Sequence, residues 1–147
     1  MLYAEDLVEG QQFQLGTYTI TEAEILQFAK QYDPVPIHAD PVAAAAGPFG
    51  GIIASGFNTI AIYQRLAVEA IWSKVAGIAS RSLEIRIPSP VRPGATLTGR
   101  SEIQKITMRP ERRNAAVVFK TELVDDTGQC VLILSVDALI RLRPAEE

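Results

Sequence analysis

The chain has 147 residues, 48% of them hydrophobic and 21% charged, with a formal net charge of −3. That length fits one domain, residues 1–147, and the balance is that of a globular protein whose lack of a long basic run disfavours nucleic acid as a partner. The absence of any stretch of about 18 uninterrupted apolar residues excludes a membrane-spanning helix, the lone Cys130 excludes an intrachain disulfide, and with Glu5, Asp6 and Glu9 where a signal would be apolar, a cytoplasmic setting is expected.

Residues 12–20 read as an opening strand, and residues 21–31 as a helix. Thr21 and Glu24 have capping-box spacing, Ile20 and Ile25 can form a hydrophobic staple, and Ile25, Leu26, Phe28 and Ala29 make a buried stripe. Residues 32–37 are expected to be non-helical, because Pro34 and Pro36 remove two amide donors and push Asp33 and Val35 into extended conformations. Asp40-Pro41 has the pattern of an N-cap followed by the first helical residue, opening a short helix over residues 41–46 that Gly47 stops. A long helix is expected over residues 56–73. Only Asn58, Thr59, Gln64, Arg65 and Glu69 interrupt its apolar surface, so other structure must wrap it.

The rest reads as strand. Leu83, Ile85 and Ile87 alternate with Ser82, Glu84 and Arg86, and residues 88–94 break that strand. Long strands follow over residues 95–108 and 114–124. The turn Asp125-Asp126-Thr127-Gly128 leads into a last strand, where Leu132, Leu134, Val136, Ala138, Ile140 and Leu142 line one face. Helices followed by antiparallel hairpins indicate an α+β fold whose sheet buries its apolar face on the long helix.

Chemistry concentrates in Tyr32-Asp33-Pro34-Val35-Pro36-Ile37-His38 and in the run Gly47-Pro48-Phe49-Gly50-Gly51-Ile52-Ile53-Ala54-Ser55-Gly56. The only histidine follows an aspartate by five residues across a proline-stiffened loop. A glycine-rich run then leads into the apolar helix. This order supplies an acid/base pair and a backbone site for developing negative charge, the parts needed to add water to, or remove it from, an activated carbon–carbon double bond. Imidazole suits proton transfer, with an ordinary pKa of about 6.5. At the helix start, the macrodipole adds roughly half a positive charge beside the Gly56 amide.

The surrounding residues have plainer readings. Asp40 reads as a helix cap, and with no second histidine His38-Ala39-Asp40 is a poor metal site. Gly50 and Gly51 permit a tight turn or shape a pocket. Ser55 caps the long helix or touches substrate. Tyr32 reads as packing, Glu69 as a solvated or paired carboxylate, and Cys130 as inert. Arg109, Arg112 and Arg113 read as a solvated hairpin, with phosphate recognition as the alternative. Asp137 faces away from the apolar row of its strand. The glycine run lacks the Gly-Lys-Ser/Thr ending of a nucleotide-phosphate loop.

The segment from Phe28-Ala29 through Asp33, Pro36, His38 and Phe49-Gly50-Gly51 to Ala54-Ser55-Gly56, with the turn Pro90-Val91-Arg92-Pro93-Gly94, resembles the MaoC-like family, which includes R-specific enoyl-CoA hydratases and acyl-thioester dehydratases. The resemblance departs from the common pattern at Tyr32, Val35 and Ser55. It implies a hot-dog fold, an antiparallel sheet wrapped round one long helix, in a homodimer or larger even assembly with the active site at the subunit interface. It implies Asp33 and His38 as catalytic residues and Gly56 as the oxyanion donor, with Ser55 and Gly51 beside it. The implied activity is reversible hydration of 2-enoyl to 3-hydroxyacyl thioesters. Coenzyme A or acyl carrier protein would be part of the substrate, with no other cofactor and no metal. Two rival readings are a hot-dog thioesterase using Glu69 and a non-catalytic acyl-thioester binding subunit.

Overall fold

In the computed structural model, which describes residues 1–145, an antiparallel sheet curls around one long helix. The chain enters through two short strands, β1 (Gln12–Gln14) and β2 (Tyr18–Thr19). It then forms α1 (Glu22–Tyr32), two short helical turns, α2 (Pro36–Ala39) and α3 (Pro41–Ala45), and the central helix α4 (Gly56–Ala67). Four long strands follow: β3 (Gly77–Arg86), β4 (Thr96–Arg109), β5 (Asn114–Val124) and β6 (Cys130–Arg141). The order across the sheet is β1-β4-β5-β6-β3, with β2 also paired to β4. This is the expected α+β hot-dog arrangement.

Alternation on the long strands explains the core. Leu132, Leu134, Val136, Ala138 and Ile140 of β6 are all buried, beside Ala115, Val117, Phe119 and Leu123 of β5. They meet Ile62, Tyr63, Leu66 and Ala67 of α4 in one apolar cluster. The ring of Trp72, just beyond α4, stands edge-on to Phe119 at 5.2 Å between centroids. A helix that is apolar on so much of its surface needs this wrapping.

The structure departs from the sequence expectations at several points. The opening strand is broken: Gln14 faces Arg100 but Tyr18 faces Leu97, so the pairing slips by one residue between them. Leu15 is tucked into the core there while its amide still reaches the Gly99 carbonyl at 2.9 Å. The capping box is half formed. Thr21 accepts the Glu24 amide at 3.2 Å, but the Glu24 carboxylate turns to the Tyr18 hydroxyl at 2.7 Å, which raises the Tyr18 pKa. Tyr32 ends α1, and Pro36 and Ile37 are helical, because proline at the first helical position gives up an amide that the turn does not need. The long helix ends in a wider π-helical turn over Val68–Trp72.

The largest departure is β3. Its apolar alternation implies a covered face, yet every residue of β3 is exposed in the single chain. It is the edge strand beside β6, and it carries register shifts between Gly77 and Ala79 and between Ser80 and Ser82. From Leu83 to Arg86 the pairing is regular.

Candidate active site

Asp33 leaves α1 as its C-cap, with φ −152° and ψ 69°. The following Val35 is extended, as a residue before proline must be, and Pro36 opens the turn that carries His38. The turn binds the next loop through its backbone, since the Ile53 amide donates to the Ile37 carbonyl at 3.1 Å. The loop from Gly47 to Ser55 is fastened on its other side as well. The Ala54 amide donates to the Val91 carbonyl at 2.8 Å, and Arg92 Nη1 to the Phe49 carbonyl at 2.9 Å. Gly50 turns this loop at φ 66°, a conformation that favours glycine.

These constraints bring three side chains together. The Ser55 hydroxyl donates to Asp33 Oδ2 at 2.7 Å. His38 Nε2 lies 3.6 Å from the same oxygen. On the far side of the imidazole, Nδ1 lies 2.7 Å from the Ile53 carbonyl. A carbonyl only accepts, so Nδ1 carries a proton, and Nε2 faces the carboxylate. A gap of 3.6 Å is too long for a direct hydrogen bond. His38 is buried, whereas the Asp33 side chain keeps 24% of its surface accessible.

Ser55 takes the capping role and a second one that the sequence did not offer. It is the N-cap of α4, accepting the Phe57 amide at 3.3 Å, and it is a site residue through Asp33. Gly56 is the first residue of α4. Its amide belongs to the set that a helix leaves without internal partners, at the positive end of the dipole. Its backbone is not left-handed, but a Cβ at this position would overlap the terminal methyl of Ile87. Gly51 is neither left-handed nor crowded, and among the described residues it makes no side-chain hydrogen bond with this set.

The other sequence candidates lie outside the cluster. Asp40 caps α3, accepting the Val42 and Ala43 amides at 3.0 and 3.1 Å. Glu69 pairs with Arg65 at 2.7 Å. Tyr32 packs its ring 5.1 Å from that of Phe28. Asp137 pairs with Arg81 at 2.8 Å. Arg109, Arg112 and Arg113 make the β4–β5 turn, where Arg113 is left-handed at φ 54°. Among the described residues, no helix is long and apolar enough to cross a membrane. Sequence reasoning missed Ile53 and Ile87. A carbonyl acceptor leaves no residue-type signal, and neither does an aliphatic contact across the fold.

Comparison with known proteins agrees with this architecture. The profile described as "MaoC like domain" matches residues 6–126. The 3-hydroxyacyl-thioester dehydratase Z of Mycobacterium tuberculosis is 39% identical over 88 residues, covering 58% of this chain and 58% of that protein. The chain spans about half the length of the relatives that it matches first by sequence, 46% of one and 58% of another. The crystal structure of the MaoC-like dehydratase from Rhodospirillum rubrum superposes with a TM-score of 0.92 at 32% identity, covering 99% of this chain and all of that one (100%). An R-hydratase from Pseudomonas aeruginosa shares the fold, with a TM-score of 0.74 at 22% identity, covering 99% of this chain and 92% of that one. A profile match over most of the chain and a full-length structural match place this protein in the MaoC-like domain family, a family of hydratases and dehydratases.

Proposed function

We propose that the protein reversibly hydrates 2-enoyl thioesters to 3-hydroxyacyl thioesters, with Asp33 and His38 as catalytic residues and the Gly56 amide as oxyanion donor. The observation that carries this reading is the convergence of Asp33, Ser55 and His38 at the start of α4, Ser55 bonded to Asp33 and His38 Nε2 3.6 Å from the same carboxylate oxygen. Water between Asp33 Oδ2 and His38 Nε2 gives one proton to the pair as its oxygen bonds to the β-carbon. The displaced π electrons move onto the thioester oxygen, which the Gly56 amide holds. The pair then returns the proton to the α-carbon, and dehydration runs the same steps backwards. Acid/base participation of this kind is worth about 10²–10⁴-fold, and an oxyanion donor about 10²–10³-fold. Coenzyme A or acyl carrier protein would serve as the handle of the substrate, with no metal or redox cofactor required by these steps.

The working unit is proposed to be a homodimer or a larger even assembly of this domain. The apolar side chains of β3 and its end, Leu83, Ile85 and Ile87, are 52%, 38% and 48% exposed in the single chain, on an edge strand that is regular over this stretch. An edge with such a face is a template for pairing with a second copy.

The test is a spectrophotometric assay of purified protein with enoyl-CoA substrates of short and medium length. Hydration bleaches the enoyl absorbance and releases no thiol. Thiol release instead would establish the thioesterase alternative. Loss of absorbance at equal rates in the wild type, Asp33→Asn and His38→Ala would end the assignment of these residues.

A further inference from the structure

A Cβ at position 56 would meet one side chain alone, the end of Ile87, which would have to shift to admit it. Ile87 Cδ1 occupies the position that a Cβ on residue 56 would need, with Cγ1 behind it. Helical Cα–Cβ bonds lean toward the N-terminus, the same end toward which the first amides point. The Ile87 methyl therefore flanks the volume into which the Gly56 N–H is directed.

The placement of Ile87 is not left to chance. It directly follows β3, which pairs with β6 through Arg86 and Ile133, and Pro88 comes next. Four residues on, Val91 is buried and holds the Ala54 amide at 2.8 Å. The backbone is thus held on both sides of Ile87, and the end of its half-exposed side chain lies beside Gly56. Its methyl puts apolar surface beside the amide, and lower polarity strengthens a hydrogen bond made there. It also removes room beside the carbonyl carbon of anything whose oxygen sits on that amide.

We propose that Ile87 is a specificity-determining residue of the hydration site and selects thioesters that are unbranched at the α-carbon. This deepens the hydratase reading and rests on it. A methyl group on the α-carbon would compete with the Ile87 methyl for the same volume. A mismatch of one methyl in an apolar pocket is worth about 10–200-fold in kcat/KM.

The experiment compares unbranched 2-enoyl-CoA with its 2-methyl analogue in the wild type, Ile87→Val and Ile87→Ala. The wild type is expected to prefer the unbranched substrate by about 10-fold or more. Ile87→Ala should shrink that preference by a similar factor, chiefly by lowering KM for the branched substrate, and Ile87→Val should fall between them. A second arm uses Gly56→Ala, whose added methyl meets Ile87. Its turnover of unbranched substrate should be poor and should recover in the Gly56→Ala, Ile87→Ala double variant. Continued turnover of the unbranched substrate with an unchanged preference in both Ile87 variants would overturn the proposal. Turnover of neither substrate by the wild type would remove the hydratase reading itself, and this inference with it.

Discussion

One hydroxyl joins the central helix to the carboxylate of the site: Ser55 Oγ donates to Asp33 Oδ2 at 2.7 Å while accepting the Phe57 amide at 3.3 Å. Helix capping and carboxylate orientation are therefore a single contact, and Ser55→Ala should disturb both. Loss of the cap should lower stability by about 1 kcal/mol. A hydrogen bond to a charged group is worth about 1.5–3 kcal/mol, so turnover should fall about 10-fold or more. Ser55→Thr, which keeps the hydroxyl, should retain most of each. Urea midpoints and kcat measured on the same preparations check this. A destabilised Ser55→Ala with unchanged kcat would leave Ser55 as a cap alone.

His38 can be dissected by its two nitrogens. Nδ1 binds the Ile53 carbonyl at 2.7 Å, and Nε2 faces Asp33 at 3.6 Å. Asparagine can supply a donor near the first position and nothing at the second. His38→Asn should hold the fold yet lose about 10²-fold or more in turnover. His38→Ala should lose that turnover and also stability, about 1–3 kcal/mol, because it leaves the Ile53 carbonyl without its donor. Equal stability of the two variants would show that the Ile53 contact contributes little.

Tyr63 offers a pH test of the core. Burial pushes its pKa from 10.0 up to about 12, opposed in part by the neighbouring Thr121 hydroxyl. The unfolded phenol loses its proton near pH 10.0 while the folded one keeps it to about 12. Over that interval the unfolded state binds fewer protons, so stability falls as pH rises, by up to about 1.4 kcal/mol per unit, and the contribution is complete below the unfolded value. Tyr63→Phe should flatten this decline. Urea midpoints taken across the alkaline range for both proteins measure it, and parallel curves would contradict it.

The exposed edge predicts assembly. Leu83→Lys and Ile85→Lys place a charge on the apolar face of β3, which the single chain leaves exposed. Each should convert the proposed homodimer to monomer in sedimentation velocity, with secondary structure intact. A wild type that sediments as a monomer at every concentration would refute edge pairing.

Much of this architecture was legible from side-chain pattern. Two-residue alternation in β5 and β6 and the apolar surface of α4 imply the wrapped helix, and proline at positions 34 and 36 defines the stiff link that carries Asp33 and His38. Local chemistry sufficed there, because hydrophobic period and proline geometry act within a few residues. The strand break at Leu15 was not legible, since it comes from pairing with a strand more than 80 residues away. Nor was the diversion of Glu24 from its own helix end to Tyr18.

The sequence by itself determined which groups could do chemistry: one carboxylate, one imidazole, and a glycine opening an apolar helix. Only the tertiary structure decided how they are held. The Ile53 carbonyl sets the proton on His38, Ser55 ties Asp33 to α4, and Ile87 takes the space beside Gly56. Those choices rest on contacts between segments distant in the chain, and contacts of that kind exist only once the sheet has closed around the helix.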